Sequence, residues 1–87
     1  INTGDSRCIL CRYDSGVNHT RDITKDHKPN SYEEKHRITT SGGKITFDGY
    51  DWRINDLSVS RSFGDITAVH VTNSPDIFKI KLLLINF

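Results

Sequence analysis

Apolar and polar residues follow one another along this chain in patterns that predict two hairpins and one helix. Residues 1–12 end in a nearly continuous apolar run, which is typical of a strand covered on both faces. Turn-forming residues follow at 14–16, and residues 17–24 return as a weaker strand, so this part predicts a hairpin. Residues 76–87 predict one or two further strands.

The pattern becomes that of a helix after residue 30. Ser31 and Glu34 have the spacing of a capping box, with the serine at the N-cap and the glutamate three positions later. The helix should end at about Ser41, because two glycines follow at 42–43. Its surface is polar, and a short helix with so little apolar face needs a surface to lie on. The few residues available for packing are Tyr32 and Ile38.

A second hairpin is predicted around Asp48-Gly49. This dipeptide between alternating apolar residues is a strong sign of a two-residue hairpin turn. Asn55-Asp56 turns the chain once more. Strands, one helix and turns in this order predict a mostly antiparallel α+β layout. The alternating apolar positions are Ile45, Phe47, Tyr50, Trp52 and Ile54.

The composition makes a self-sufficient core doubtful. Hydrophobic residues are 34% of 87, below the usual ~45–50% apolar usage, although that reference counts glycine. A chain this short buries only roughly 60–65% of the surface that its unfolded form exposes. The chain begins at Ile1 and ends in an apolar run at 82–87. We therefore expect a fragment, truncated at both ends, that folds weakly or partially when alone.

The charges are balanced and mixed along the chain. Twelve basic and eleven acidic residues give a net charge of +1, and no block of like charge suggests a nucleic-acid or anionic-membrane surface. No secretory signal pattern is present. The final apolar stretch is far shorter than the ~20 residues that a membrane span needs. We expect no nucleic-acid partner, no membrane partner and a cytoplasmic or nuclear location.

Cys8 and Cys11 form a C-x-x-C pair, which could be a redox pair or half of a zinc site. On a strand, however, residues three apart point to opposite faces, so the two thiols could not hold one metal ion. A second pair at the spacing of a zinc finger is absent from the sequence. The prediction is two buried, reduced cysteines that act as small hydrophobic residues.

A series of short motifs runs through the chain between positions 1 and 77. They are N-T-G-D-S-R at 2–7, D-H-K-P at 26–29, E-E-K-x-R-I at 33–38, G-G-K-I at 42–45, R-I-N-D at 53–56, S-V-S-R-S-F-G-D at 58–65 and S-P-D-I at 74–77. In this order and approximate spacing, the series resembles the middle of the metal-dependent serine/threonine phosphatases of the type-2C (PPM) family.

The resemblance implies a fold and an activity. The fold would be part of a two-sheet antiparallel β-sandwich flanked by helices, and residues 28–55 would be a flap-like helix-hairpin insertion. Residues 1–87 would form part of a phosphatase catalytic domain. The family hydrolyses phosphoserine and phosphothreonine esters of phosphorylated protein substrates with Mg²⁺ or Mn²⁺. Its essential metal ligands come from an Asp-Gly-His-Gly motif upstream of this stretch and from Asp-Gly and Asp-Asn motifs downstream of it. None of these is present here, so we expect the chain alone to be inactive.

Asp5 is the candidate metal ligand. A carboxylate between glycine and serine at a tight bend offers the hard oxygen that Mg²⁺ and Mn²⁺ prefer. In the family that this chain resembles, the aspartate of G-D-S-R lies near the metal cluster and in some members helps to hold an additional, weaker ion. The alternative is that Asp5 and Arg7 pair with nearby backbone or with each other. One carboxylate alone cannot hold Mg²⁺, so we expect no stably bound cofactor in the chain itself.

No residue of this chain is assigned a catalytic role. Arg61 could bind an anion, but the resemblance implies a structural role for its motif. Asp26-His27 suggests an acid–base pair, yet such a pair depends on geometry rather than adjacency, and a turn is the simpler interpretation. Two alternatives to the phosphatase fragment stay open. One is a non-catalytic binding or regulatory module derived from the same fold, and the other is a small independent β-rich domain.

Overall fold

The computed structural model describes residues 1–82. Two antiparallel hairpins flank one helix, and each hairpin is a separate two-stranded sheet. This arrangement is the predicted α+β layout, whereas the β-sandwich and the flap stay predictions. Within residues 1–82, no helix is long and apolar enough to cross a membrane. The elements are β1 (Ile9–Asp14), β2 (Val17–Asp22), α1 (Tyr32–Thr40), β3 (Thr46–Phe47) and β4 (Trp52–Arg53).

A tight turn joins β1 to β2. Asp14 faces Val17 in the register, so only Ser15 and Gly16 connect the strands. Both have positive φ angles, 50° and 81°, and positive φ at both central residues is the type I′ geometry whose twist matches that of paired strands. The first hairpin is thus confirmed, with β1 beginning at Ile9.

The strand predicted at residues 1–12 is not covered on both faces within the described part of the chain. Ile9 is 62% exposed, and every residue of β2 is exposed. Cys8 and Cys11 are free thiols, but they are exposed rather than buried. The physical reason is that neither α1 nor the second hairpin packs against β1 or β2 within residues 1–82.

Ser31 is the N-cap of helix α1, as predicted, but it forms no capping box. The N-cap Ser31 has extended backbone angles and makes no side-chain cap bond, because its hydroxyl donates to the carbonyl of Lys28 at 3.0 Å. The Glu34 carboxylate does not reach back to the N-cap. It accepts hydrogen bonds from Arg61 instead, and such charge-assisted bonds are stronger than a bond to a neutral amide.

The end of α1 confirms the predicted glycine stop. The N–H of Gly42 donates to the Thr39 carbonyl at 3.1 Å, and the N–H of Gly43 donates to the Ile38 carbonyl at 2.8 Å. This pair of bonds is a Schellman motif, which satisfies carbonyls that the helix end leaves open. Gly42 has φ +92°, and a Cβ atom on Gly43 would lie only 2.8 Å from the side chains of Ile38 and His70. Both positions therefore require glycine.

The interior of residues 1–82 is small and largely polar. Ile38 and Ile54 are its buried hydrophobic residues. Tyr32, predicted to pack, is 86% exposed, because it lies in the first turn of α1 on the side away from Ile38. Arg37 ties the helix to the rest of the chain through bonds to two backbone carbonyls. The buried polar residues are Asn2, His27, Glu34 and Ser60.

The second hairpin is confirmed, but its two-residue turn is wrong. Phe47 faces Trp52 in the register, which leaves four residues, 48–51, in the loop. The Asp48 carboxylate causes the longer loop, because it accepts the N–H groups of Tyr50 and Asp51 at 2.8 Å each. The rings of Phe47 and Trp52 lie 5.3 Å apart, tilted by 52°.

The turn at Asn55-Asp56 is confirmed as a two-residue turn. Both residues have positive φ, 48° and 66°, and Ile54 and Leu57 exchange two backbone hydrogen bonds of 2.9 and 2.8 Å.

The strands predicted at 76–87 are wrong as far as residue 82. Asp76 makes an isolated antiparallel bridge with Asn2, and residues 77–82 form no strand. Residues 83–87 lie outside the described residues.

Candidate functional site

Residues from five of the sequence motifs meet in one place, which we call the polar cluster. Its members come from distant parts of the chain and are joined by hydrogen bonds. One residue comes from each of five segments: the loop before β1, the turn between β2 and α1, α1 itself, and two segments after β4. The members are Gly4, His27, Glu34, Arg61 and Asp76.

The centre of the polar cluster is a bidentate pair between Arg61 and Glu34. The two Glu34 oxygens accept from Nε and one terminal nitrogen of Arg61 at 2.9 and 3.0 Å. The Ser60 hydroxyl donates to the same carboxylate at 2.7 Å. Burial alone would raise the pKa of Glu34, but the bonds from Arg61 and Ser60 and the nearby positive charges lower it to about 2. Glu34 is thus a buried, ionised carboxylate that is fully compensated.

The remaining donors of Arg61 continue the cluster towards the end of the described chain. Its other terminal nitrogen donates to the Ser74 carbonyl at 3.1 Å and to Asp76 Oδ1 at 3.3 Å. The hydrogen bond with Glu34 raises the pKa of Arg61 further. Because all three of its nitrogens are engaged, the structure gives Arg61 the structural role that the resemblance implies, rather than that of an anion binder.

His27 connects Asp76 to the loop before β1. Its Nε2 atom lies 2.8 Å from Asp76 Oδ2, and its Nδ1 atom accepts the backbone N–H of Gly4 at 2.9 Å. The backbone of His27 also donates to the Gly4 carbonyl at 2.9 Å and accepts from Ser60 at 2.8 Å. His27 is 3% exposed. It is therefore a buried junction of three chain segments.

Asp26 and His27 do not form a catalytic pair, as the turn interpretation predicts. The Asp26 carboxylate accepts three bonds from the Arg7 guanidinium between 3.0 and 3.2 Å. These bonds lower the pKa of Asp26. The sequence carried no signal for the real partner of His27, because Asp76 lies 49 positions away.

Asp5, the predicted metal ligand, is exposed and follows the bend at Gly4. It does not pair with Arg7, whose partner is Asp26. Residues 1–82 contain no group of three or more His, Cys, Asp or Glu side chains that could hold a metal ion. The described residues therefore do not fit a Mg²⁺ or Mn²⁺ site by themselves, and the metal role of Asp5 stays a prediction.

Comparison with known proteins shows the family. The protein family described as "Protein phosphatase 2C" matches this chain over residues 1–84. A PP2C-like domain-containing protein of Acanthamoeba polyphaga mimivirus is 45% identical over 89 residues, which cover 94% of this chain and 48% of that protein. The human integrin-linked kinase-associated serine/threonine phosphatase 2C is 42% identical over 86 residues, covering 93% of this chain and 21% of that protein. No solved structure gives a significant match.

The chain belongs to the protein phosphatase 2C family. A probable protein phosphatase 2C of Paramecium tetraurelia is also similar, at 46% identity over 66 residues, covering 75% of this chain and 19% of that protein. The resemblance found in the motif series is thus confirmed. The chain spans 48% of the mimivirus protein and about a fifth of the other two.

Proposed function

We propose that this chain is a central segment of a protein phosphatase catalytic domain that hydrolyses phosphoserine and phosphothreonine in protein substrates. The match of the family to residues 1–84 is the observation that carries the proposal. The intact enzyme would depend on Mg²⁺ or Mn²⁺ and would act in the cytoplasm or nucleus. Neither nucleic acid nor membrane is a partner in this proposal.

In this proposal, the segment is a structural part of the catalytic domain and is inactive alone. Mg²⁺ binds through one or two carboxylates together with substrate phosphate and water, and two-metal hydrolysis needs a set of ligands for both ions. Asp5 is a single exposed carboxylate, so the other ligands have to come from outside these residues. The polar cluster supports this structural role, because its charged side chains, which belong to the family motifs, hold chain segments together.

The exposure of the first hairpin supports the proposal that β1 and β2 belong to a larger β-sandwich. Ile9, Tyr13 and Val17 are all more than half exposed, and apolar strand faces of this kind are normally covered by a second layer. In this proposal, β1 and β2 belong to the sandwich, and residues 28–55 form the flap beside the substrate groove.

Hydrolysis of a phosphopeptide tests the proposal. The 87-residue chain should release no phosphate with Mn²⁺, whereas the complete reading frame should do so and should lose this activity with EDTA. In the complete protein, Asp5→Asn should raise the Mn²⁺ concentration that gives half-maximal activity, and Ser6→Ala is the matched control. Turnover by the 87-residue chain that disappears with EDTA and returns with Mn²⁺ would contradict the inactive-segment proposal.

A binding or regulatory module is the second candidate. Two tyrosines of residues 28–55 favour it, because Tyr32 and Tyr50 are 86% and 95% exposed and exposed aromatic residues are common anchors in interfaces. The complete reading frame separates the two candidates. The phosphatase requires an Asp-Gly-His-Gly motif before this segment and an Asp-Gly motif after it, and a frame without both would leave only the binding module.

A further inference from the structure

Gly4 and His27 are joined by two reciprocal hydrogen bonds. The N–H of Gly4 donates to His27 Nδ1 at 2.9 Å, and the N–H of His27 donates to the Gly4 carbonyl at 2.9 Å. Gly4 has φ +112°, a backbone conformation that residues with a Cβ atom rarely adopt. One side chain and one backbone group of His27 thus hold the bend immediately before Asp5.

These contacts determine which nitrogen of the His27 ring carries the proton. A backbone N–H can only donate, so Nδ1 must present its lone pair to Gly4. A neutral imidazole with a free Nδ1 carries its hydrogen on Nε2, and Nε2 lies 2.8 Å from the Asp76 carboxylate, which can only accept. Both sides of the ring therefore require the same neutral tautomer.

The rest of the polar cluster holds Asp76 in place for this bond. Asp76 Oδ1 accepts from Arg61 at 3.3 Å, and Arg61 is held by the bidentate bonds to Glu34 on α1. The backbone of Asp76 also exchanges two bonds, of 2.8 and 2.9 Å, with Asn2. The aspartate consequently approaches His27 from a fixed direction.

We propose that His27 is the positioning residue for the bend that presents Asp5, and that Asp76 selects its Nε2–H tautomer for this purpose. The exposed Asp5 side chain takes its direction from the backbone that Gly4 and His27 hold. Glu34 and Arg61 link this bend to α1 through Asp76 and His27, so a displacement of the helix would also displace the bend. The importance of the direction of Asp5 rests on the proposed phosphatase function, whereas the hydrogen-bond arrangement does not.

Nuclear magnetic resonance of the ¹⁵N-labelled complete protein, of which this chain is a segment, tests the ring directly. Long-range ¹H–¹⁵N correlations should show His27 Nε2 protonated and Nδ1 unprotonated. A proton on Nδ1, or a ring that averages between the two tautomers, would overturn the proposal. This measurement needs no variant, so it gives a result even if substitutions at His27 prevent folding.

Two substitutions separate the two bonds of the ring. In His27→Asn, the side-chain oxygen lies near the former Nδ1 position and can still accept from Gly4. In His27→Gln, the longer amide reaches the former Nε2 position and can still donate to Asp76. We expect amide exchange of Gly4 to stay slow in His27→Asn and to become about tenfold faster in His27→Gln, the effect of losing one hydrogen bond. The chemical shift of the Asp5 amide should also change in His27→Gln and stay the same in His27→Asn.

The amide of Gly43 is the internal control for folding, because it reports the end of α1. Its exchange should be equal in both variants. Equal exchange of Gly4 in the two variants, with Gly43 unchanged, would contradict the positioning role. None of these measurements uses phosphatase activity. A complete protein that fails to hydrolyse phosphopeptides would therefore refute the proposed function and leave the assignment of His27 standing.

Discussion

The first hairpin and the polar cluster are opposite in composition and in burial. The hairpin carries large apolar side chains, yet Ile9, Tyr13 and Val17 are each more than half exposed. The polar cluster consists largely of charged and polar side chains, yet His27 and Glu34 are each 3% exposed. Hydrophobicity alone therefore does not decide which part of these residues is buried. A strand face is buried only when another layer packs on it, whereas the cluster members are brought together by their own hydrogen bonds.

The difference also concerns energy. Exposed strands bury little apolar surface, so most side chains of the hairpin contribute little to stability. A buried ion pair with all its donors and acceptors satisfied gains little over an apolar pair, but losing one partner leaves an uncompensated charge. We therefore expect substitutions in the polar cluster to be far more harmful than those in the hairpin.

Arg61→Ala should have the largest effect. It leaves the Glu34 carboxylate buried without its main partner, which typically costs about 3–5 kcal/mol. In so small a chain, that loss should abolish the slow amide exchange of α1. Arg7→Ala is the matched control, because it removes an arginine–aspartate pair at the surface and should leave α1 unaffected. Similar exchange in both variants would remove the distinction between the two regions.

Ile38→Ala should have the next largest effect. Ile38 is fully buried, and removing a buried aliphatic side chain costs about 2–5 kcal/mol, of which we expect the lower end because this small interior can collapse around the gap. Ile9→Ala in β1 is the control and should change the free energy of unfolding by no more than about 0.5 kcal/mol. Urea unfolding followed by the fluorescence of Trp52 measures both. A larger loss for Ile9→Ala would show that the hairpin is covered in solution.

Lowering the pH should destabilise the polar cluster, and this should be the smallest of the three effects. Protonation changes only Glu34, and Arg61 keeps its hydrogen bonds to Ser74 and Asp76. The pKa of Glu34 falls from an ordinary value of 4.5 to about 2 in the fold. A lowered pKa in the folded state means that the stabilisation is present above about pH 4.5 and is lost as the pH falls towards about 2.

Paired variants isolate this acid effect from that of the other carboxylates. The difference in stability between the unmodified chain and Glu34→Gln should shrink as the pH falls through this window. Glu33→Gln, whose side chain is exposed, is the control at a carboxylate outside the polar cluster. A constant difference for Glu34→Gln would mean that Glu34 is not held ionised by the cluster.

Local elements were predictable because their causes lie within a few residues. The turn at 14–16, the helix stop at Gly42 and the turn at Asn55-Asp56 each depend on residues that tolerate positive φ. The two-residue turn at Asp48-Gly49 was wrong because the Asp48 side chain binds two amides beyond the glycine. Even there, the hairpin itself was correctly predicted from its alternating residues.

The candidate site was predictable only in part. The motif series identified the family and singled out Asp5 and Arg61. It did not reveal that Glu34 would leave the helix cap for Arg61, 27 positions away, or that His27 would bind both Asp76 and Gly4. It also could not reveal that Tyr32 points to solvent, because that depends on which side of α1 meets the rest of the chain.

The sequence by itself determined the turns at 14–16 and at Asn55-Asp56, the helix with its glycine stop, the two hairpins and the membership of the protein phosphatase 2C family. These depend on local backbone preferences and on the identity and order of residues. Only the tertiary structure decided which charged groups are buried together and which tautomer His27 adopts. The physical reason is that burial and pairing result from contacts between distant segments, and a carboxylate or an imidazole has several possible partners until the fold brings one within hydrogen-bond distance.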